Sequence, residues 1–357
     1  MNETKSARYH RLKRRAGILA GCGSVALLLT LLWLRPSLHG AVYVVMLVAL
    51  HELIGLPASF YRSYTLERRY ELSTQSTADW ARDHAKGVGL TLAFTLVAAH
   101  VVYTLIAWSP AFWWIAAAAA ATGATIVLTK IAPVVLLPLF FKFKRLERQE
   151  LTARLVDLSA RAGVPVLGVY EWGLGAKTRR ANAALTGSGR TRRILLSDTL
   201  LSEYTDDEIE VILAHEMAHH VHHDIRNALV VEFVLFTAAC YAASVALSAW
   251  WRPLGLTGPA DPAGMPLLLL AGGAVMLAAI PLLNAFSRAN ERRADRFAVR
   301  LTGGRDPFVS AMRRLGAQNL AEETPSRLAV WLFHTHPPVE ERIVAARQME
   351  GPFQNGP

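Results

Sequence analysis

The sequence predicts a mainly α-helical, polytopic membrane protein, and composition, the length of its apolar runs and the placement of its basic residues indicate this. Of its 357 residues, 52% are hydrophobic and only 18% are charged, which lies outside the usual range of soluble proteins. Several apolar runs reach the roughly 20 residues that a helix needs to cross a hydrocarbon core. Basic residues cluster in alternate connections between these runs.

Six runs are long enough to be membrane spans, near residues 17–35, 41–59, 88–108, 111–130, 228–251 and 265–286. The fourth run stays apolar as far as Phe141, but Lys130 and Pro133 interrupt it. Its end is therefore expected to be re-entrant or interfacial. The first run is long for a signal peptide and lacks a clear cleavage site, so an uncleaved anchor is expected.

The distribution of Lys and Arg predicts the orientation, because these side chains are disfavoured on the translocated side. Basic residues precede the first span and fill loop 60–87, whereas the connection 252–264 is nearly free of them. The segments 142–227 and 287–357 and both termini are therefore predicted to be cytoplasmic. The net charge of +10 lies largely beside spans, where topology and anionic lipid account for it. A lipid bilayer, and no nucleic acid, is the expected partner.

These predictions divide the chain into five parts. An N-terminal transmembrane region occupies 1–141, a polar cytoplasmic segment 142–227, a transmembrane hairpin 228–286, further helices 287–349, and a flexible Gly/Pro-rich tail 350–357.

The polar segment is expected to begin with a helix and a small β-sheet. Apolar spacing predicts a helix from Leu146 to Ala162, with Gly163 as its C-terminal cap. Residues 164–170 and 193–196 are predicted strands, with a Gly-rich loop at 173–189 between them.

A capping box marks the next helix, because the side chains of Thr205 and Glu208 can satisfy backbone donors at a helix start. This helix is expected to run to about His223. A helix from the last span is expected to end at Gly303, and shorter helices are predicted near 307–319 and 338–349.

The chemistry is concentrated in the segment His215-Glu216-Met217-Ala218-His219. Residues four apart lie on one face of a helix, so His215 and His219 can present imidazole nitrogens to one Zn²⁺. In this H-E-x-x-H pattern, Glu216 accepts a proton from the zinc-bound water that attacks a peptide carbonyl. A His-rich helix of this kind could instead buffer metal or be a solvated face.

A third ligand must come from elsewhere, because a catalytic zinc has three protein ligands and an open position. The only cysteines, Cys22 and Cys240, lie in predicted spans, which leaves His and carboxylates as ligands. Glu291 lies on the helix that leaves the last span on the side of the His helix and is the predicted ligand. Asp295, one turn on, is expected to hold the other N–H of a ligating imidazole, although it could be the ligand itself. The alternative is an ordinary charged helix.

The sequence resembles the type I CAAX prenyl endopeptidases and their bacterial relatives, which are gluzincin metallopeptidases with H-E-x-x-H and a distant E-x-x-x-D. The resemblance runs from about Leu56 to Arg347. HtpX-like proteases share the His motif, the Glu291 segment and the His-Pro-Pro segment, whereas the loop around Glu67 and the run before Leu146 favour the CAAX branch. The segments that carry the resemblance are 61–73, 132–143, Asn182-Ala183, 193–201 and His336-Pro337-Pro338-Val339-Glu340-Glu341-Arg342.

The resemblance implies a ring of helices around an intramembrane chamber and a gluzincin-type zinc protease domain with one Zn²⁺ per chain. It implies that Asn182 and the nearby extended backbone hold the substrate peptide, with a contribution from Arg342. His336 is expected to stabilise the tetrahedral intermediate; otherwise it is a helix-start histidine before two prolines. Eukaryotic members have seven spans, so one chamber helix is expected to be absent or replaced.

The predicted function is hydrolysis of peptide bonds in a peptide or protein substrate admitted from the membrane, and lipidated substrates follow from the resemblance alone. The alternatives are HtpX-like turnover of damaged membrane proteins and a catalytically silent, metal-binding scaffold. A metal store does not need Glu216, which argues against the scaffold. Intramembrane His51, Glu52 and His100 would be costly facing lipid and are expected to line a cavity or pair with one another.

Overall fold

The computed structural model describes residues 4–187 and 189–349 and is largely helical. The predicted tail at 350–357 lies outside the described residues. The helices of the described chain are α1 (Lys5–Leu34), α2 (Gly40–Phe60), α3 (Leu66–Arg69), α4 (Thr77–Trp108), α5 (Trp113–Ile131), α6 (Gln149–Arg161), α7 (Asp198–Glu203), α8 (Asp206–Val221), α9 (Asp224–Trp250), α10 (Met265–Thr302), α11 (Arg305–Gln318), α12 (Arg327–Phe333) and α13 (Val339–Arg347).

Six helical stretches of the described chain are long and apolar enough to cross a membrane, which confirms the predicted number. Most of them extend beyond the apolar run, because polar turns continue the helix past its apolar part. For example, α1 begins where the Thr4 side chain accepts a hydrogen bond from the Ala7 N–H. The stretches are Lys5–Leu34, Gly40–Arg69, Thr77–Trp108, Trp113–Leu139, Asp224–Trp250 and Pro262–Thr302.

Two of these stretches contain a π-helical turn. One, Tyr61–Thr65, extends α2 towards the polar loop. The other, Ala132–Leu136, follows α5 and leads into a short 3₁₀ turn at Leu137–Leu139. Pro133 lacks a backbone N–H and so removes one helical hydrogen bond, and the interruption falls where the sequence predicted it.

The polar domain contains a four-stranded sheet with the order β1-β2-β4-β3. Its strands are β1 (Phe143–Arg145), β2 (Gly168–Trp172), β3 (Ala183–Thr186) and β4 (Arg193–Ser197). The central strands β2 and β4 are parallel, and β1 and β3 pair antiparallel with them at the two edges.

The sheet corrects two sequence predictions. The strand predicted at 164–170 begins only at Gly168, because the Val164 N–H still bonds to the Ser159 carbonyl at 2.8 Å and closes α6. Pro165 then offers no N–H for pairing. The loop predicted at 173–189 contains edge strand β3, which pairs with β4 and is too short to show a strand period of its own.

Helix α8 lies in the centre of the polar domain and is fixed at its start. The predicted capping box between Thr205 and Glu208 is present. Glu208 is only 2% exposed and also accepts a hydrogen bond from the Ser310 hydroxyl of α11 at 2.6 Å. Because Leu213 and Phe308 belong to one buried core with the sheet, α8 is held on several sides.

The predicted C-terminal helices are present near their predicted positions, but the structure contains one further helix, α12. Helix α10 ends at Thr302 and is capped by Gly303, where its end was predicted; the φ of 67° at Gly303 is a left-handed cap. Helices α11 and α13 lie within two residues of their predicted bounds. Helix α12 was not predicted, because its seven residues are too few to show a helical period; the Ser326 side chain caps it.

Candidate active site

Two helices bring three potential metal ligands together. His215 and His219 lie on α8 and Glu291 on α10, and one ligand atom from each lies within 4.8 Å of the others. The Nε2 of His215 is 3.3 Å from one Glu291 carboxylate oxygen, and the Nε2 of His219 is 3.5 Å from the other. Both imidazoles therefore direct the same nitrogen at one carboxylate.

Each imidazole is held from behind by an aspartate. The Nδ1 of His215 lies 2.9 Å from Asp295, and the Nδ1 of His219 lies 2.9 Å from Asp224. A carboxylate on Nδ1 fixes the tautomer that leaves the Nε2 lone pair free for a cation. Asp295 was predicted for this position, but Asp224 was not.

Asp224 escaped sequence analysis because a single backbone conformation brings it into place. His223 has a φ of 57°, so the chain turns between α8 and α9, and the Asp224 carboxylate lies 2.9 Å from the Nδ1 of His219. In the sequence, Asp224 has the appearance of an ordinary acidic residue at a helix start. The one available signal was its position directly after the His-rich helix.

Each aspartate is in turn paired with an arginine. Arg342 of α13 donates to Asp295 at 2.6 and 2.8 Å, and Arg293 of α10 pairs with Asp224. His215 and His219 are thus the ends of two similar relays, His215–Asp295–Arg342 and His219–Asp224–Arg293. Such second contacts restrict side-chain rotation and pre-organise a metal site.

The cluster is suited to a cation. One carboxylate oxygen of Glu291 is buried without a hydrogen-bond partner among the described residues, although the Nδ1 of His336 lies 2.7 Å away outside hydrogen-bonding geometry. Burial alone lowers the pKa of His215, but Asp295 and Glu291 outweigh it and raise that pKa to about 9. The surroundings therefore favour positive charge, and a cation would satisfy the orphaned oxygen. Two imidazoles and one carboxylate are a donor set typical of zinc.

Glu216 follows His215 on α8 and remains partly exposed, outside the three-ligand cluster. Burial raises the pKa of its carboxyl, although His215 and His219 oppose the rise. A carboxylate with a raised pKa is a better proton acceptor near neutral pH than an ordinary one.

His336 and Arg342 also lie at the cluster. His336 precedes α13 and has a side chain that is 61% exposed. The side chain of Arg342 is only 12% exposed, and its Nη2 is 3.9 Å from Glu291. Arg342 is thus committed to Asp295, and its predicted part in substrate binding, like the oxyanion role of His336, stays a prediction.

Asn182 lies outside the cluster, at the start of edge strand β3. Its backbone N–H donates to the Ser197 hydroxyl and its carbonyl accepts from the Ser197 N–H, both at 2.9 Å. The residue is exposed. At the other end of β3, the Leu185 carbonyl lies 3.2 Å from the Nε2 of His220 on α8, so the edge strand is tied directly to the His helix.

A polar cavity of about 770 Å³ lies between α1, α2 and the segment 177–180 of the polar domain. His51 and Glu52 line it, which confirms one of the two expectations from the sequence, that these residues line a cavity. The alternative, that they pair with each other, is wrong: Glu52 lies 2.5 Å from His84, and His51 lies 3.1 Å from Ser24. The third intramembrane residue, His100, lines a separate cavity of about 180 Å³.

Comparison with known proteins matches both halves of the chain. Residues 144–350 match the model of peptidase family M48, and residues 18–142 match a model described as CAAX prenyl protease N-terminal, five membrane helices. Between 18 and 142 the structure has four stretches that could cross a membrane, and the fourth is the one interrupted at Pro133.

Individual relatives cover most of the chain. An uncharacterized metalloprotease of Bacillus subtilis, YhfN, is 32% identical over 87% of this chain and 73% of its own length. A CAAX prenyl protease 1 homolog of Caenorhabditis elegans is 26% identical over 88% of this chain and 77% of its own length. The crystal structure of S. mikatae Ste24p has a similar fold, with a TM-score of 0.82 and 22% identity over 96% of this chain and 88% of that one. The similarity therefore joins the membrane helices and the polar domain in one fold.

Proposed function

Because the chain belongs to peptidase family M48 and is a multi-pass membrane metalloprotease, we propose that it cleaves peptide bonds with one Zn²⁺ held by His215, His219 and Glu291. The observation that carries the proposal is the convergence of two Nε2 atoms on one partly unsatisfied buried carboxylate. A structural zinc site would offer four protein ligands, whereas three leave a position open for water and substrate.

Each residue around the cluster has a distinct part in the proposed reaction. Zn²⁺ would lower the pKa of a bound water and polarise the substrate carbonyl. Glu216 accepts the proton of the attacking water and later delivers a proton to the leaving amine. His336 lies beside the ligand carboxylate and donates to the oxygen on which negative charge develops. Asp295 and Asp224 hold the imidazoles in the required tautomer.

The substrate peptide is proposed to add to the sheet at β3. This strand lies at the sheet edge and is bound to α8 through His220. An extended peptide can pair with such an edge through main-chain hydrogen bonds. Asn182, exposed at the start of the strand, is positioned to bind the peptide backbone.

Zinc dependence and the base are tested together with purified protein. Glu216→Gln keeps the size of the side chain and all three ligands but removes the proton acceptor. Zinc per chain should stay near one, while cleavage of a peptide should fall by at least ~100-fold, in line with general-base contributions. Undiminished cleavage by this variant would remove the proposed mechanism.

The substrate class proposed is a membrane-associated, lipidated peptide or protein. Support comes from the N-terminal match to a CAAX prenyl protease model and from the six helical stretches of the described chain that could cross a membrane. A farnesylated peptide should be cleaved faster than its unmodified twin. Equal rates, together with cleavage of unfolded membrane proteins, would favour general turnover of damaged proteins instead.

The proposed orientation places the polar domain and both termini in the cytoplasm. Reporter fusions after Trp80, Thr205 and Pro357 should behave as cytoplasmic, and a fusion after Gly258 as external. An external result at Thr205 would move the active site to the other side of the membrane.

A further inference from the structure

One arginine that lines the polar cavity has no interaction partner among the described residues. Arg62 lies in the π-helical turn Tyr61–Thr65 and lines the cavity. Its Nε is buried, and its guanidinium makes no hydrogen bond or ion pair with the described residues. Single π-helical turns are rare and occur frequently at functional sites.

The other charged groups of the cavity wall are already paired. Lys13 and Arg180 both bind Glu67, at 2.7 and 2.9 Å, and the remaining two pairs are Lys177 with Asp83 and Glu52 with His84. The side chain of Arg62 is partly exposed, and its buried Nε has no hydrogen-bond partner among the described residues. Arg62 is therefore available to bind an anion from outside the described chain.

The helix packing gives Arg62 access to the cavity interior. Its Cζ would lie 3.5 Å from a Cβ at Gly17, so the guanidinium rests against bare backbone of α1. Added Cβ atoms at Gly21 and Gly55, which also line the cavity, would meet nothing within 4 Å. Gly21 and Gly55 thus leave open space where they line the cavity.

The cavity is also adjacent to the proposed peptide path. Its wall on the polar domain includes Thr178 and Arg180, and the chain then continues through Asn182 into β3. The Arg180 carbonyl accepts a hydrogen bond from the Thr199 hydroxyl at 2.7 Å, which ties this wall to the start of α7. The cavity wall is thus separated by only two residues from the strand that is proposed to bind the peptide.

We propose that the cavity binds the C-terminal end of the substrate and that Arg62 binds its α-carboxylate. This inference rests on the proposed peptidase function. A cavity of about 770 Å³ has the size of sites that enclose a small ligand, so it holds a few residues and a chain end. The planar guanidinium matches a carboxylate with two parallel hydrogen bonds.

The test uses two peptides that differ only in a C-terminal acid or amide, with the full chain in nanodiscs of zwitterionic lipid. The wild-type kcat/KM should be about 10- to 100-fold higher for the acid, as expected for a hydrogen-bonded charge pair. Arg62→Gln should cleave the acid no faster than the amide while keeping wild-type zinc content and amide cleavage. Arg62→Lys should retain part of the preference.

Arg69→Gln is the matched control. It removes the same charge as Arg62→Gln, but Arg69 lies seven residues further on, is exposed and does not line the cavity. It should keep the full preference for the acid. The inference is overturned if Arg62→Gln still prefers the acid, or if it slows both peptides equally. An effect of Arg62 that appears only with anionic lipid would assign it to a lipid headgroup and overturn the inference as well.

Failure of this inference can be distinguished from failure of the proposed function. If the wild-type protein cleaves neither peptide, the peptidase proposal fails. If it cleaves both at equal rates, the peptidase proposal stands and only the role of Arg62 is wrong.

Discussion

The metal cluster and the polar cavity differ in how their charged side chains are paired. In the cluster His215 and His219 each contact an aspartate, and each aspartate pairs with an arginine. In the cavity, Arg62 has no partner among the described residues, and glycines at two points of the lining leave open space. The cluster is organised before any ligand arrives, whereas the cavity leaves an interaction for the ligand to complete. Under the two proposals, pre-organisation of the cluster serves the chemical step, and the unpaired Arg62 serves discrimination between substrates.

The largest effect that this comparison predicts is loss of the metal. Glu291→Ala removes a direct ligand and should abolish both stoichiometric zinc and peptide cleavage. Asp295→Ala removes an outer contact of His215 and should retain zinc with weaker affinity and slower turnover. Metal analysis of the two purified variants checks the assignment. Zinc retained in Glu291→Ala and lost in Asp295→Ala would show that the two roles are reversed.

A smaller effect should come from the relay that sequence analysis missed. Asp224→Asn keeps the shape of the side chain but loses the charge that holds His219 and pairs with Arg293. Outer contacts of this kind usually change metal affinity or activity by about 10–100-fold. Competition with a chelator measures the zinc affinity, and Asp295→Asn should give a change of similar size because the two relays are alike.

The control for this prediction is Asp157→Asn, since Asp157 is exposed on α6 and, among the described residues, pairs only with Arg161 one turn away. It should leave zinc affinity unchanged. If Asp224→Asn behaves like this control, then His219 is oriented by its position on α8 alone, and the symmetry of the two relays has no consequence for the metal.

How far the sequence predicts the structure depends on the distance over which each feature is determined. The spacing of His215 and His219 and the capping box at Thr205 are local, so the sequence alone was sufficient. The approach of Glu291 to the His helix followed from counting spans, because a hairpin returns the chain to its starting side.

Other features depend on contacts that no local pattern contains. Asp224 reaches His219 only because His223 takes a left-handed conformation. Strand β3 exists because β4 supplies its hydrogen bonds. The unpaired state of Arg62 depends on how α1 and α2 pack, and in the sequence Arg62 has the appearance of one more basic residue in a cytoplasmic loop.

The smallest predicted effect tests the cavity without touching any charge. Gly21 lies on the cavity side of α1, where an added Cβ meets nothing within 4 Å. Gly21→Leu should therefore fold without strain and, because leucine favours helix over glycine, should not weaken α1. Its side chain would occupy space that the substrate is proposed to fill, so KM should rise about tenfold, the scale on which a few methylenes alter binding in a pocket.

Gly89→Leu on α4 is the matched control, because a Cβ there also meets nothing within 4 Å and the residue does not line the cavity. Zinc content and cleavage by Gly89→Leu should equal those of the wild-type protein. If Gly21→Leu also leaves KM unchanged while zinc stays bound, the substrate does not enter the cavity, and the metal cluster and edge strand alone determine what is cleaved.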